Sequence, residues 1–282
     1  MIEIKIGGVP EYFNLPIYNA IEEKAFDNAG LNLKWVSVSE GTGAMSRQLA
    51  AGDLDMAVIL TEGITKSIIE GSRCRIVKNY VDSPLIWGVH CPHPASSAPF
   101  SSKNIAISRY GSGSHLMSFV LAKGKKWNAD DLKFHVINNL DGARASFEKR
   151  ETNLFLWEKY TTQPLVDAGE FDRIDQVPTP WPCFVIAANE KALAEKKESI
   201  SKVLKIINFY CESVQQNPGL SDIIGEKFDL KKSNTDQIVK EVMWSTTNEV
   251  DIEAIDRVMD TLLDLNLIEA KKPTEEIINV IR

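Results

Sequence analysis

Residues Ile2–Ile6 alternate apolar and charged side chains and stop at Gly7-Gly8, the period of two expected of a strand that ends in a glycine turn. Asn14 then precedes Leu15-Pro16. Asn at a cap and Pro in the first turn predict a helix running to Asn28-Ala29-Gly30, where Gly30 supplies a left-handed stop. Leu31–Val38 reads as a second strand, and Gly41-Thr42-Gly43 opens an amphipathic helix carrying Met45, Gln48 and Leu49 up to Gly52. The unbroken apolar run Met56–Leu60 is a buried strand. Strand, helix, strand, helix, strand predicts a mainly parallel sheet with crossover helices, and such sheets gather ligands at the carboxyl ends of their strands.

The same logic restarts at Asn104–Ser108, a short strand leading through Arg109-Tyr110-Gly111-Ser112-Gly113-Ser114-His115 into a helix over Leu116–Lys125. Leu132–Ile137 is its next strand, Asp141–Arg144 opens its next helix, and Asn153–Trp157 is a third strand. Leu49-x-x-Gly52-Asp53-x-Asp55-x-Ala57 lies over Phe147-x-x-Arg150-Glu151-x-Asn153-x-Phe155 as an internal echo. Val81–Val89 and Trp181–Ala187 are extended apolar segments between the two copies and serve as hinge crossings. The expected organisation is a discontinuous first lobe, residues 1–86 plus 187–282, and a second lobe, residues 87–186. Helices are expected over Ser199–Val214, Asp236–Trp244, Ile252–Leu263 and from Thr274 onward, packing on the first lobe.

At 282 residues two compact units are the natural expectation. With 44% hydrophobic and 25% charged residues the chain is globular, and its net charge of −7 argues against a nucleic-acid or anionic-membrane partner. The basic run Lys123-Gly124-Lys125-Lys126 reads as a solvated helix end. Cys74, Cys91, Cys183 and Cys211 show neither a CxxC pair nor metal-like spacing and are expected as free buried thiols. No stretch approaches the roughly 18 apolar residues of a spanning helix, so no membrane insertion is expected. Met1 runs straight into the first strand without a leader, which places the chain in the cytoplasm as written, or in the periplasm or outside the cell if a leader has been removed.

Gly41-Thr42-Gly43-Ala44-Met45, followed by Leu49-Ala50-Ala51-Gly52-Asp53-Leu54-Asp55-Met56-Ala57, resembles the type II periplasmic-binding-protein family, in the branch related to nitrate, sulfonate and thiamine-precursor binding proteins of ABC importers. Ser108–His115, Trp157-Glu158 and Thr179-Pro180-Trp181-Pro182 are similar to an orphan subgroup that includes a fungal protein of unassigned ligand. The resemblance implies an α/β fold of two lobes, each a mostly parallel sheet flanked by helices, joined by two hinge crossings. It implies a solute-binding protein that closes on a small-molecule ligand, with an ABC permease as partner if the chain is exported. The chain lacks the cysteine-rich cluster of thiamine-pyrimidine synthase relatives, which disfavours a pyrimidine-forming enzyme.

Strand-end loops supply the candidate ligand contacts. In the first lobe these are Tyr12, Phe13 and Asn14, then Gly41, Thr42 and Gly43, then Thr61 and Glu62. In the second they are Arg109, Ser112, Gly113, Ser114 and His115, then Asn138 and Asn139, then Trp157, Glu158 and Thr161, with Trp181 at the second crossing. Ser112-Gly113-Ser114 at a helix start offers N–H groups and hydroxyls to an oxygen-rich or anionic group, although capping alone also explains it. Arg109 suits a bidentate clamp on a carboxylate or sulfonate, and a solvated loop arginine is its other reading. Trp157, Trp181, Tyr12 and Phe13 offer stacking faces or core packing. Glu62 and Glu158 hold comparable places in the two lobes and suit a ligand with amine or ring N–H donors, so a zwitterionic or heterocyclic ligand is expected.

Competing chemistry is thin. His90-Cys91-Pro92-His93 has metal-capable side chains without a second pair, so no metal or other cofactor is expected. Gly41–Ser46 lacks the third glycine of a dinucleotide fingerprint, and Gly111–His115 puts glycine where a hydrolase elbow puts its nucleophile. No catalytic residue is assigned. The rivals to a pure binder are an enzyme on the same fold and an intracellular ligand-gated regulator.

Overall fold

The computed structural model describes residues 2–281. The chain divides into two compact units, Met1–Pro84 with Trp181–Arg282, and Leu85–Pro180. Unit 1 begins β1 (Ile2–Gly8), α1 (Leu15–Glu22), α2 (Ala25–Asn28), β2 (Leu31–Ser37), α3 (Thr42–Ala51), β3 (Met56–Leu60), α4 (Thr61–Ile69) and β4 (Cys74–Val81). Unit 2 follows as β5 (Ile86–Pro92), β6 (Asn104–Ile107), α5 (Gly113–Lys125), β7 (Lys133–Val136), α6 (Leu140–Glu148), β8 (Leu154–Glu158), α7 (Gln163–Asp167) and β9 (Phe171–Pro178). The chain then returns to unit 1 with β10 (Phe184–Asn189), α8 (Glu190–Glu195), α9 (Lys197–Gln216), α10 (Leu220–Phe228), α11 (Lys232–Glu241) and α12 (Ile252–Asp264).

Each unit is built on one five-stranded sheet, ordered β2-β1-β3-β10-β4 and β7-β6-β8-β5-β9. The two orders are the same pattern. In each, the first three strands are parallel and the fourth, β10 or β5, runs antiparallel to both neighbours. That fourth strand is the first element formed after the chain crosses into the unit. It therefore starts where the parallel strands finish: Phe184 pairs with Leu60 and Val81, Ile86 with Pro178, and Trp87 with Glu158.

Buried apolar residues fill each sheet. Unit 1 packs Met45, Leu49, Ile59, Ile64 and Met259 around its sheet, and unit 2 packs Ala143, Phe147, Phe155 and Phe171. All four cysteines are buried and none is in a disulfide, as the spacing implied. The basic run at 123–126 is an exposed helix end, with Lys125 paired to Asp175. No helix of the described residues is long and apolar enough to cross a membrane.

Four expectations need correcting. The helix from Leu15 ends at Glu22, because Lys24 takes the left-handed conformation (φ 56°) and a separate short turn buries Phe26. Val81–Val89 is two strands broken at residues 82–85, and β9 was not foreseen because its charged sequence hides a strand that β5 recruits. Two of the expected C-terminal helices, Asp236–Trp244 and that from Thr274 onward, stop short for one reason. β4 is a sheet edge with unpaired backbone groups, and the chain beyond Glu241 and beyond Glu276 extends to satisfy them. Asp82 N donates to Met243 O at 2.8 Å and Ser245 N to Tyr80 O at 2.9 Å, while Ile76 N donates to Ile277 O and Asn279 N to Ile76 O, both at 2.9 Å.

Gly142, in the first turn of α6, lies against the strand-end backbone: a Cβ there would stand 1.8 Å from the Ile137 carbonyl oxygen. Backbone cannot yield as a side-chain tip can. Gly142→Ala is expected to destabilise the protein by about 1–3 kcal/mol, read as a lowered urea midpoint.

Candidate functional site

In unit 1 the carboxyl ends of β1, β2 and β3 and the start of β10 lie along one edge of the sheet. After β1 the chain makes a 3₁₀ turn, Tyr12–Asn14, with all three residues buried. It is fixed through the Phe13 carbonyl, which accepts from Tyr80 Oη at 2.9 Å and from Trp244 Nε1 at 2.7 Å. Tyr12 and Phe13 rings lie 4.1 Å apart, and Phe13 lies 4.8 Å from Phe184 at the head of β10. Asn14 holds the helix-cap position without capping: its Nδ2 donates to Val9 O at 2.7 Å, and its Oδ1 is buried and accepts nothing.

Gly41 has φ 75°, the left-handed region that favours glycine, and sets the direction of α3. Thr42 and Gly43 follow it, half-buried. Thr42 Cγ2 would sit 2.2 Å from a Cβ at Gly63, so the missing side chain on α4 is what lets α3 approach. Thr61 Oγ1 donates to Pro182 O at 2.6 Å and Thr61 N to Cys183 O at 3.1 Å, tying the end of β3 to the segment entering β10. Beside it, Glu62 Oε2 accepts from Trp181 Nε1 at 3.0 Å, while Oε1 accepts nothing. Burial pushes the Glu62 carboxyl up to about 7, opposed by its own backbone N–H and by the Trp181 indole. This carboxylate is 3% exposed.

Unit 2 treats its strand ends differently. Ser108 N donates to Ser114 Oγ at 3.0 Å, the Ser112 and Ser114 hydroxyls meet at 3.0 Å, and Ser112 Oγ caps α5 by accepting from His115 N at 3.4 Å. Gly111 N donates to His115 Nδ1 at 3.2 Å, and burial lowers the His115 pKa, so the neutral ring accepts there. Gly113 carries no side chain into this network and opens the helix. Arg109 is half-buried, Asn138 is exposed with φ 64°, and Asn139 Oδ1 caps α6 through Gly142 N at 3.0 Å.

Glu158 and Glu62 share a strand-end address and little else. Glu158 Oε2 collects Tyr160 N at 3.0 Å, Thr161 N at 2.6 Å and Thr161 Oγ1 at 2.8 Å, which makes it the clasp of its own turn. Trp157 points to the other face, stacked on Phe155 at 5.3 Å against the unit 2 core. Sequence reading missed the roles of Tyr80 and Trp244, which nothing local marks, and of Trp87, whose buried Nε1 at the start of β5 donates to nothing. It also missed Ser46 of α3, whose Oγ is buried and unpartnered.

The His90–His93 run is structural. His90 Nδ1 meets Phe155 O at 3.2 Å and Nε2 meets Thr162 Oγ1 at 2.9 Å, and burial lowers its pKa to about 4. His93 pairs with Asp172 at 3.1 Å. Among the described residues no cluster of His, Cys, Asp or Glu is placed to hold a metal ion.

The fold is that of a periplasmic binding protein. A model of the Ca3427-like PBP family matches residues 92–177. The CA3427 gene product of Candida albicans, whose structure is described as defining a new family with the generic periplasmic-binding-protein fold, superposes with a TM-score of 0.91 at 24% identity, over 99% of this chain and 97% of that one. The ligand-binding component of an ABC-type import system from Staphylococcus aureus, solved with zinc bound, gives 0.78 at 14% identity, over 99% and 97%. The alkanesulfonate-binding protein SsuA of Xanthomonas axonopodis pv. citri, bound to MOPS, gives 0.77 at 13% identity, over 94% of each chain. No curated protein sequence matches the chain. At such identities the likeness establishes the fold.

A carboxyl raised from its ordinary 4.5 to about 7 keeps its proton in the folded state where the unfolded chain has lost it. Its contribution is therefore full below about pH 4.5, falls as pH rises to 7, and is flat above. Glu62→Gln removes this dependence, so between pH 4.5 and 8 the variant is expected to gain up to roughly 3 kcal/mol on the wild type, measured by urea unfolding across that range. A constant difference at all pH values would show that Glu62 titrates normally.

Proposed function

We propose that this protein binds a small polar ligand at the carboxyl-end loops of its parallel strands and performs no covalent chemistry on it. The observation that carries this reading is the set of buried polar atoms left without partners at those edges: Glu62 Oε1 and Asn14 Oδ1 in unit 1, and Trp87 Nε1 in unit 2. A buried polar atom without a partner costs about 1–3 kcal/mol, and a ligand that supplies the missing hydrogen bonds recovers that cost on binding. The alkanesulfonate-binding protein bound to MOPS shares this fold, which supports the analogy.

Unit 1 offers acceptors, while unit 2 offers Trp87, Arg109 and the Ser112–His115 turn, so the ligand is zwitterionic or a heterocycle with an acidic end. Tyr12, Phe13, Gly41, Thr42, Gly43, Thr61 and Trp181 are the candidate contacts of unit 1, and Asn138, Glu158 and Thr161 accompany those of unit 2, whereas Trp157 packs on the unit 2 core. A ligand that binds one conformation of the chain more tightly than another shifts it toward that conformation. If the chain is exported, an ABC permease is the partner to which it delivers the ligand; inside the cell, the ligand-dependent change of state is the signal.

A thermal-shift screen against amino acids, sulfonates, aromatic acids, pyrimidines and thiamine precursors tests this. A ligand at about 100 times its Kd adds roughly 2.7 kcal/mol, several degrees for a chain of this size. Arg109→Ala is expected to weaken an acidic-ended hit at least about tenfold, the loss of a charge-assisted contact. No shift with any compound, in protein shown by native mass spectrometry to carry no ligand, overturns the reading.

A further inference from the structure

We infer that Glu62 and Asn14 form a subsite in unit 1 that takes the N–H-bearing cationic head of the ligand, a protonated amine or an amidine-like group. This rests on the ligand-binding reading and goes beyond it by fixing the sign of the charge at one end of the ligand.

Three observations on different elements converge. Glu62, in the first turn of α4, is 3% exposed and has one oxygen satisfied by Trp181 at 3.0 Å and the other by nothing. Asn14, at the end of the turn that follows β1, is equally buried, and its amide nitrogen is committed to Val9 O, so what remains is the acceptor oxygen. Both positions are rigid. The Phe13 carbonyl is held by two buried donors, and the neighbouring Thr61 is bonded through both its N–H and its hydroxyl to the strand entering from the crossing.

An amide oxygen and the oxygen of a Glu62 carboxyl that an arriving cation holds ionised both accept, and together they are poor company for an anion and a good match for a donor-rich cation. A carboxylate isolated in a buried setting is costly by itself, and a cation delivered with the ligand removes that cost. Glu158 shows the contrast: its Oε2 already holds three hydrogen bonds from its own turn. The two lobes' acids are thus unequal, and the charge-reading one is Glu62.

The test compares compounds that share one ring and differ in the head group: benzylamine, benzamidine and 4-aminopyrimidine against benzoate and benzenesulfonate. Calorimetry on the full chain is expected to give the donor-bearing compounds the higher affinity, and Glu62→Gln to weaken benzylamine and benzamidine roughly ten- to hundredfold while leaving the acids unchanged. A second readout needs no folded variant. The Trp181 indole N–H resonance, assigned by triple-resonance spectra of the wild type, is expected to shift on titration with benzylamine and to stay in place with benzoate. Tighter binding of the acids, or an indole resonance and a Glu62→Gln variant both indifferent to the amine, overturns the inference while leaving a binding protein. Binding by no compound of either class counts against both readings.

Discussion

Everything at the candidate site depends on one topological constraint, the single antiparallel strand in each sheet. A strand that enters a parallel sheet from outside and runs against its neighbours must begin at their carboxyl ends. β10 and β5 do so, and each is the first strand after a chain crossing. The crossings are thereby pinned to the edge where the loops after the parallel strands collect, which is also where ligands gather in such sheets. In unit 1 the pinning is visible atom by atom: Thr61 holds Pro182 and Cys183, and Glu62 holds Trp181. Any change in the charge or hydrogen bonding of Glu62 is felt directly by the segment through which the chain passes.

The two units use the same strand order for different ends. Unit 2 satisfies its strand-end groups internally except Trp87 Nε1: Ser108, Ser112, Ser114 and His115 bond to one another and to the backbone, and Glu158 closes its own turn. Unit 1 leaves acceptors over. Buried polar atoms in folded proteins are overwhelmingly paired, so unpaired ones on rigid elements ask for an explanation, which the proposed ligand supplies. Their rigidity matters as much as their number, since a preformed site loses little freedom on binding.

The C-terminal region shows how edge strands govern what a helical pattern becomes. β4 is buried among unit 1's core yet lies at the sheet's edge, with backbone groups to satisfy. The segments after α11 and near the C-terminus pair with it through Val81–Trp244 and Ile76–Ile278 bridges. The same region supplies Trp244, whose indole reaches back to Phe13 and fixes the loop after β1. An extended segment near the far end of the sequence thus positions a residue of the candidate site near its beginning.

The sequence by itself determined the repeating strand–helix pattern, the family resemblance, the chain's division between two copies and the loops that carry candidate contacts, because period, capping residues and glycine turns act over a few residues. It also put Glu62 and Glu158 at comparable places in the two copies. Only the tertiary structure decided that Glu62 meets Trp181, 119 positions away, while Glu158 serves its own turn. It likewise decided that Asn14 spends its amide on Val9 rather than on a cap, that β9 exists, and that the last segments extend along β4. The physical reason is common to all of these: hydrogen-bond partners of buried groups are chosen by whichever element packs against them, and that choice is non-local.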